Sequence, residues 1–188
     1  MKKTLVLSLD FINDIVHLDG KIAHSAQRIK ENRTIENANK VIQWGRKNNF
    51  PIAHVRVGFS ANYLECPKTS PMFSKSMGFG ALNLESWGCE FHENLDVQKS
   101  DFIVTKHRVN AFYQTDLEAL LRAQKIERIV LFGVSTNYAV EHTARDAHDR
   151  DYEVVVIKDA SEALTDEAHV ATLNSIGRFS EILEADQL

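Results

Sequence analysis

Long apolar runs are missing from this chain of 188 residues. The first run, Thr4–Leu9, follows Met1-Lys2-Lys3 and stops at Asp10. That is too short for a membrane span or for the core of a signal peptide. No later run is longer, so the membrane is excluded as a partner and the cytoplasm is the expected location. A basic stripe is missing too. The 22 Lys and Arg stand against 26 Asp and Glu, leaving a net charge of −4. That balance excludes nucleic acid as the expected partner and leaves a small molecule. Cysteine is scarce. Cys66 and Cys89 have no metal-ligand spacing and read as reduced thiols rather than a disulfide framework. The eight glycines form neither G-x-G-x-x-G after the first strand nor a phosphate-binding loop. No dinucleotide or other cofactor is therefore expected. The histidines form no H-E-x-x-H pair, and no metal is expected.

What remains is ordinary globular material, with 44% hydrophobic and 26% charged residues. The length suits one sizeable core, and 1–188 reads as a single domain. Thr4–Leu9 reads as a buried parallel strand. A helix is expected over Thr34–Asn49, because Ile35, Ala38, Val41, Ile42 and Gly45 share one face. Further strands are expected at 51–57, 102–105, 128–134, 153–157 and 179–183. Helices are expected from Thr115 to about 124, from Asn137 to Arg150, and from a Thr165 cap to about Gly177. Thr115 with Glu118 has the spacing of a capping box. Between Gly58 and Ser100 the pattern lapses, with scattered aromatics and two of the three prolines. Such an excursion reads either as a lid or as an irregular cover over the sheet. The alternation elsewhere implies an α/β fold: three αβα layers, Rossmann-like, around a mostly parallel sheet of about six strands.

Ligands of such sheets bind beyond the carboxyl ends of the strands. Asp10 closes the first strand, Lys106 closes FIVT, and Gly133–Asn137 closes RIVLF. Each alone has a plain reading: a turn brace, a solvated rim lysine, and a tight turn with Asn137 as N-cap. Together they bring a carboxylate, an ammonium and a helix start to one crevice. Those parts suit a hydrolase acting on a small substrate.

Three stretches carry a resemblance: Leu7–Asp14 (LSLDFIND), Lys106–Phe112 (KHRVNAF), and Gly133–Ala147 (GVSTNYAVEHTARDA). In order and placement they resemble the isochorismatase-like hydrolases, also called the cysteine hydrolase family. The resemblance covers nearly the whole chain and implies a catalytic triad of Asp, Lys and Cys. By position that is Asp10, Lys106 and Ala139. The alanine departs from the usual pattern, because a methyl group is no nucleophile. Three readings stand side by side. In the first, the protein hydrolyses a small substrate without a nucleophile, as the isochorismatases do with a vinyl ether, and Asp10 is the acid. In the second, it is an amidohydrolase disabled by a Cys→Ala change. In the third, it is a pseudoenzyme that keeps the pocket for binding.

The resemblance further implies a cis peptide at Val134–Ser135, oxyanion donors at the Ser135 and Ala139 amides, and a homo-oligomer. The metal pattern of the nicotinamidases, Asp-x-His, is absent from Ala53-His54-Val55. The expected substrate is small and cyclic or aromatic, with or without a carboxylate. Trp87, Phe112 and Tyr113 are its candidate walls, with Phe59 and Tyr63 from the excursion. Arg108 is the candidate carboxylate partner. Asn13, Val134 and Ser135 complete the expected contacts. Against this, any single aromatic reads equally well as core or interface, and Arg108 as a surface ion-pair partner.

Overall fold

The computed structural model describes residues 2–188; Met1 lies outside the described residues. The chain runs β1 (Thr4–Leu9), α1 (Asn13–Val16), α2 (Ala26–Glu31), α3 (Thr34–Lys47), β2 (Ile52–Val57), α4 (Pro71–Gly78), β3 (Phe102–Lys106), α5 (Leu117–Ala123), β4 (Arg128–Gly133), α6 (Glu141–Asp149), β5 (Glu153–Ile157), α7 (Asp166–Ile176) and β6 (Glu181–Leu183). Single 3-10 turns sit at Trp87–Cys89 and Ala185–Gln187.

The six strands form one sheet in the order β3-β2-β1-β4-β5-β6, and every pair is parallel. Side chains alternate across a strand, so each central strand feeds two cores. Leu5, Leu7, Leu9, Ile129, Leu131, Val154 and Val156 pack with Leu117 and Leu121 of α5, Ala144 and Ala147 of α6, and Ile176 of α7. Val6, Val130, Phe132, Val155 and Ile157 pack on the other face with Ile29 of α2 and Ala38, Val41 and Ile42 of α3. Strands buried on both faces lose the polar alternation of a half-exposed sheet, which is why their sequences read as continuous apolar runs. A third cluster, including Val57, Phe59, Cys66, Phe73, Leu82 and Cys89, lies under the 58–100 excursion.

Several expected boundaries shift. The expected capping box at Thr115 does not form. Thr115 Oγ1 donates to Ala111 O, so it closes the preceding turn and the helix starts at Leu117. Glu118 instead pairs with Arg122 and Arg150. The last strand begins at Glu181 rather than Phe179, because the amides of Phe179 and Ser180 turn back onto Ile176 O and close α7. Thr165 does cap α7, accepting from the Ala168 amide.

The excursion is only partly irregular. Ser70 Oγ accepts from the Phe73 amide and Pro71 opens α4, a start signal legible in the sequence. Among the described residues no helix is long and apolar enough to cross a membrane.

Candidate functional site

The strand order reverses between β1 and β4, and a crevice opens there at the carboxyl edge. Asp10 follows β1 with a left-handed backbone, φ 57°, its amide donating to Val55 O at 2.9 Å. Asp tolerates that conformation better than most side chains. Lys106 ends β3, two strands away, and its register partner Val57 ends β2 between them. The long lysine stem crosses that gap. Its Nζ lies 2.7 Å from Asp10 Oδ2 and donates to Val109 O at 2.8 Å. Both residues are buried, at 3% and 2% exposure.

Burial is the first influence on Asp10 and raises its pKa above the ordinary carboxylate value; the Lys106 charge and hydrogen bond oppose it without cancelling it. Asp10 Oδ1 is buried and has no hydrogen-bond partner. An unmet buried acceptor costs about 1–3 kcal/mol unless something fills it.

The third corner is the turn after β4. Gly133 has φ 146°, and a Cβ there would sit 2.3 Å from Leu9 O. Only glycine lets the two central strands approach so closely as the chain turns. The Val134–Ser135 bond is cis. A wide turn over Thr136–Val140 then leads into α6. This corrects the expected Asn137 cap. Ser135 precedes the turn without a side-chain cap bond, and Asn137 Oδ1 is buried without a partner. Thr136 anchors the turn instead, its amide donating to Glu162 O and its hydroxyl 2.8 Å from His169 Nδ1.

Asp10, Lys106, Val134, Ser135 and Ala139 line one recess of about 570 Å³, counted to its open mouth. Five of the expected partners of that group lie elsewhere. Phe112 is buried in the core under Arg150 and against Tyr152. Tyr113 is exposed and lines no part of the recess. Trp87 is exposed and meets His17 edge-on. Arg108 is half-buried outside the recess, donating to the carbonyls of Glu65 and His107. Asn13 is also absent from the lining; its amide side chain donates to Trp87 O and ties the excursion to α1. Phe59 and Tyr63 form a layer behind the wall: Phe59 meets Phe73 edge-on, and the Tyr63 hydroxyl donates to Ala81 O.

The actual walls are Ile15, Ile22, Val57, Leu82 and Val109, with Met72, Phe73 and Ser76 of α4, and Tyr138 at the rim. Asp14 holds two of these walls. Its buried carboxylate accepts from the Leu82 amide at 2.7 Å and the Lys21 amide at 3.3 Å, while its carbonyl accepts from Ile22. Gly88 packs so tightly on that carboxylate that a Cβ would lie 2.1 Å from Oδ2. The Lys21 ammonium donates to Gly80 O and closes the clamp from the other side.

Neither cysteine reaches the recess. Cys89 is fully buried, and burial with the nearby Asp14 charge pushes its thiol up to about 12. Cys66 sits under α4, its Sγ 3.6 Å from Phe73 O, and its thiol is also raised by burial. High thiol pKa values mark inert sulfur. Among the described residues no group of three or more His, Cys, Asp or Glu is placed to hold a metal ion.

A second buried polar network lies lower in the sheet. Ser8 Oγ is 2.7 Å from His54 Nδ1, and His54 Nε2 is 3.1 Å from Asp101 Oδ2. Arg46 grips Asp101 with two N–H groups, at 2.7 and 2.8 Å. The proton assignment that satisfies every atom has Ser8 donating to Nδ1 and Nε2–H donating to Asp101. Burial lowers the His54 pKa, and it is a packed strand histidine.

Comparison with known proteins agrees with this fold. The profile described as the isochorismatase domain matches residues 4–187. The isochorismatase family protein YwoC of Bacillus subtilis is 33% identical, over 93% of this chain and 86% of its own length. The ureidoacrylate amidohydrolase RutB of Acinetobacter baylyi is 24% identical, over 95% of this chain and 78% of its own. The crystal structure of an isochorismatase-like hydrolase from Alkaliphilus metalliredigens superposes with a TM-score of 0.82 at 26% identity, covering 99% of this chain and 96% of that one.

Proposed function

The chain belongs to the isochorismatase family, and from that premise we propose that it is a hydrolase working without a covalent enzyme intermediate, with Asp10 as its acid and base. One observation carries the reading. The recess holds a buried carboxylate–ammonium pair and faces a methyl group, Ala139, where the family resemblance implies a thiol. The two thiols of the chain are buried outside that recess.

The raised pKa of Asp10 keeps its proton available where a free carboxylic acid has already lost it. On a vinyl ether, Asp10 gives that proton to the enol carbon and positive charge passes to the ether oxygen. Water adds at the oxocarbenium carbon and returns a proton to the Asp10 carboxylate. The resulting hemiketal breaks to a ketone and an alcohol, its hydroxyl proton passing to the departing oxygen. Lys106 fixes the orientation of Asp10 and stabilises the carboxylate each time it forms. The small Ala139 side chain leaves space for the water.

The test is the Ala139→Cys variant beside the unchanged protein, on small vinyl ethers and small amides, with a thiol-labelling reagent. The expected result is vinyl ether turnover by the unchanged protein that the added thiol does not improve. Amide cleavage by the variant alone, with fast labelling of the new thiol, overturns the reading and marks the pocket as built for cysteine chemistry.

A further inference from the structure

The charge inventory of the recess narrows the substrate beyond the reaction type. Among its lining residues only Asp10 and Lys106 carry charge, and they face each other at 2.7 Å. The remaining walls are apolar, apart from Ser76, which donates to Met72 O, and Ser135 and Tyr138 beside Ala139. Cations nearby in sequence bond to neutral groups outside the recess. Arg108 donates to two carbonyls, Arg56 to Thr105 Oγ1, and Lys21 to Gly80 O. None of the three lines the recess, so no guanidinium stands in it to grip an acid.

We propose that the substrate is an uncharged molecule with a compact apolar body and a single polar end, the end that meets Asp10 Oδ1 and Lys106. This rests on the hydrolase reading above and sharpens its substrate class. A carboxylate entering the recess would surrender its water and gain no free cation, because the one ammonium is already neutralised. It would also approach the bare Oδ1 of Asp10, itself an oxygen anion when ionised. Protonation of Asp10 frees Lys106, but that proton is the one delivered to the substrate. After delivery, two carboxylates would share one ammonium among largely apolar walls. Dicarboxylates are disfavoured in every protonation state of the pair. A neutral ring or branched chain meets none of these penalties.

Binding tests this without turnover, so its failure and the failure of the acid role are separable. Matched pairs, each a small cyclic or branched carboxylate beside its primary amide and its alcohol, are followed by ligand-observed NMR on the full chain. Ala139→Phe fills the recess and marks the signals that originate there; Ser76→Trp, on the opposite wall, replaces it if the first variant does not fold. The expected result is that recess-dependent signals belong to the uncharged members, which bind at least tenfold tighter than their carboxylate twins. In Asp10→Asn, where the Lys106 charge is unbalanced, the carboxylates gain at least tenfold relative to the amides. Equal or tighter binding of carboxylates to the unchanged protein overturns the proposal. So does a panel in which no uncharged member gives a signal that filling the recess removes, or an Asp10→Asn protein with unchanged preference.

Discussion

Two buried polar networks start two residues apart on β1 and beyond it, and they do opposite things. Ser8, His54, Asp101 and Arg46 supply the residue types of a nucleophilic triad, yet the atoms at issue satisfy one another. Ser8 and His54 are 1% and 0% exposed, and none of the four lines the recess. Asp10 and Lys106 are a humbler pair, but one carboxylate oxygen is unmet and the pair opens onto space. The comparison teaches that chemistry resides in unfinished hydrogen bonding beside a cavity rather than in the choice of side chains. A completed network is a rivet, and a triad of residue names inside it has nothing to attack.

The comparison breaks most visibly in Asp10→Asn. Turnover is expected to fall by about 10²–10⁴-fold, the usual worth of a positioned acid–base group, while circular dichroism shows a folded protein. A matching loss from His54→Gln, measured per folded molecule, would erase the distinction between the networks. The second network shows itself in stability. Asp101→Asn leaves the Arg46 guanidinium without its bidentate partner and should cost about 3 kcal/mol in denaturant unfolding, with turnover at saturating substrate unchanged.

The smallest effect is a pair of opposite pH slopes. The folded-state pKa of His54 lies below 6.5 because burial opposes its charge. Its contribution is therefore complete above pH 6.5 and is lost as pH falls below that value, by at most about 1.4 kcal/mol per pH unit. Asp10 runs the other way. Its folded pKa lies above 3.8, so its contribution is complete below that value and is lost as pH rises through the raised pKa. Unfolding free energies across pH for His54→Gln and Asp10→Asn should each flatten one limb. A flattened alkaline limb in the histidine variant would contradict the assignment.

The sheet and the ends of its strands were legible in the sequence because each buried parallel strand is an apolar run stopped by a polar residue. Asp10, Lys106 and the Gly133 turn were found that way, and the Ala139 departure came from the family resemblance. The walls were not legible. Ile15, Ile22, Met72 and Leu82 are apolar residues in segments without periodicity, and nothing local says which cavity they face. The aromatic candidates misled for the same reason: Phe112 is large and near Lys106 in sequence, but its ring completes the core beneath Arg150. The Ser70-Pro71 start of α4 was the available clue to the wall. The Asp14 clamp and the His54 network join residues tens of positions apart, a relation that spacing along one chain does not encode.

The Asp14 clamp makes the pocket a cassette. The excursion is fastened at its entrance, where the Gly58 amide donates to Lys106 O, at Leu82 by the Asp14 carboxylate, and near its end, where the His92 amide donates to Phe11 O. All three fasteners lie within four residues of the Asp10–Lys106 pair along the chain. Between the first two, α4 supplies Met72, Phe73 and Ser76 to the wall and none of the reacting groups. One side of the substrate's enclosure is in this way written on a stretch of sequence that carries none of the reaction chemistry.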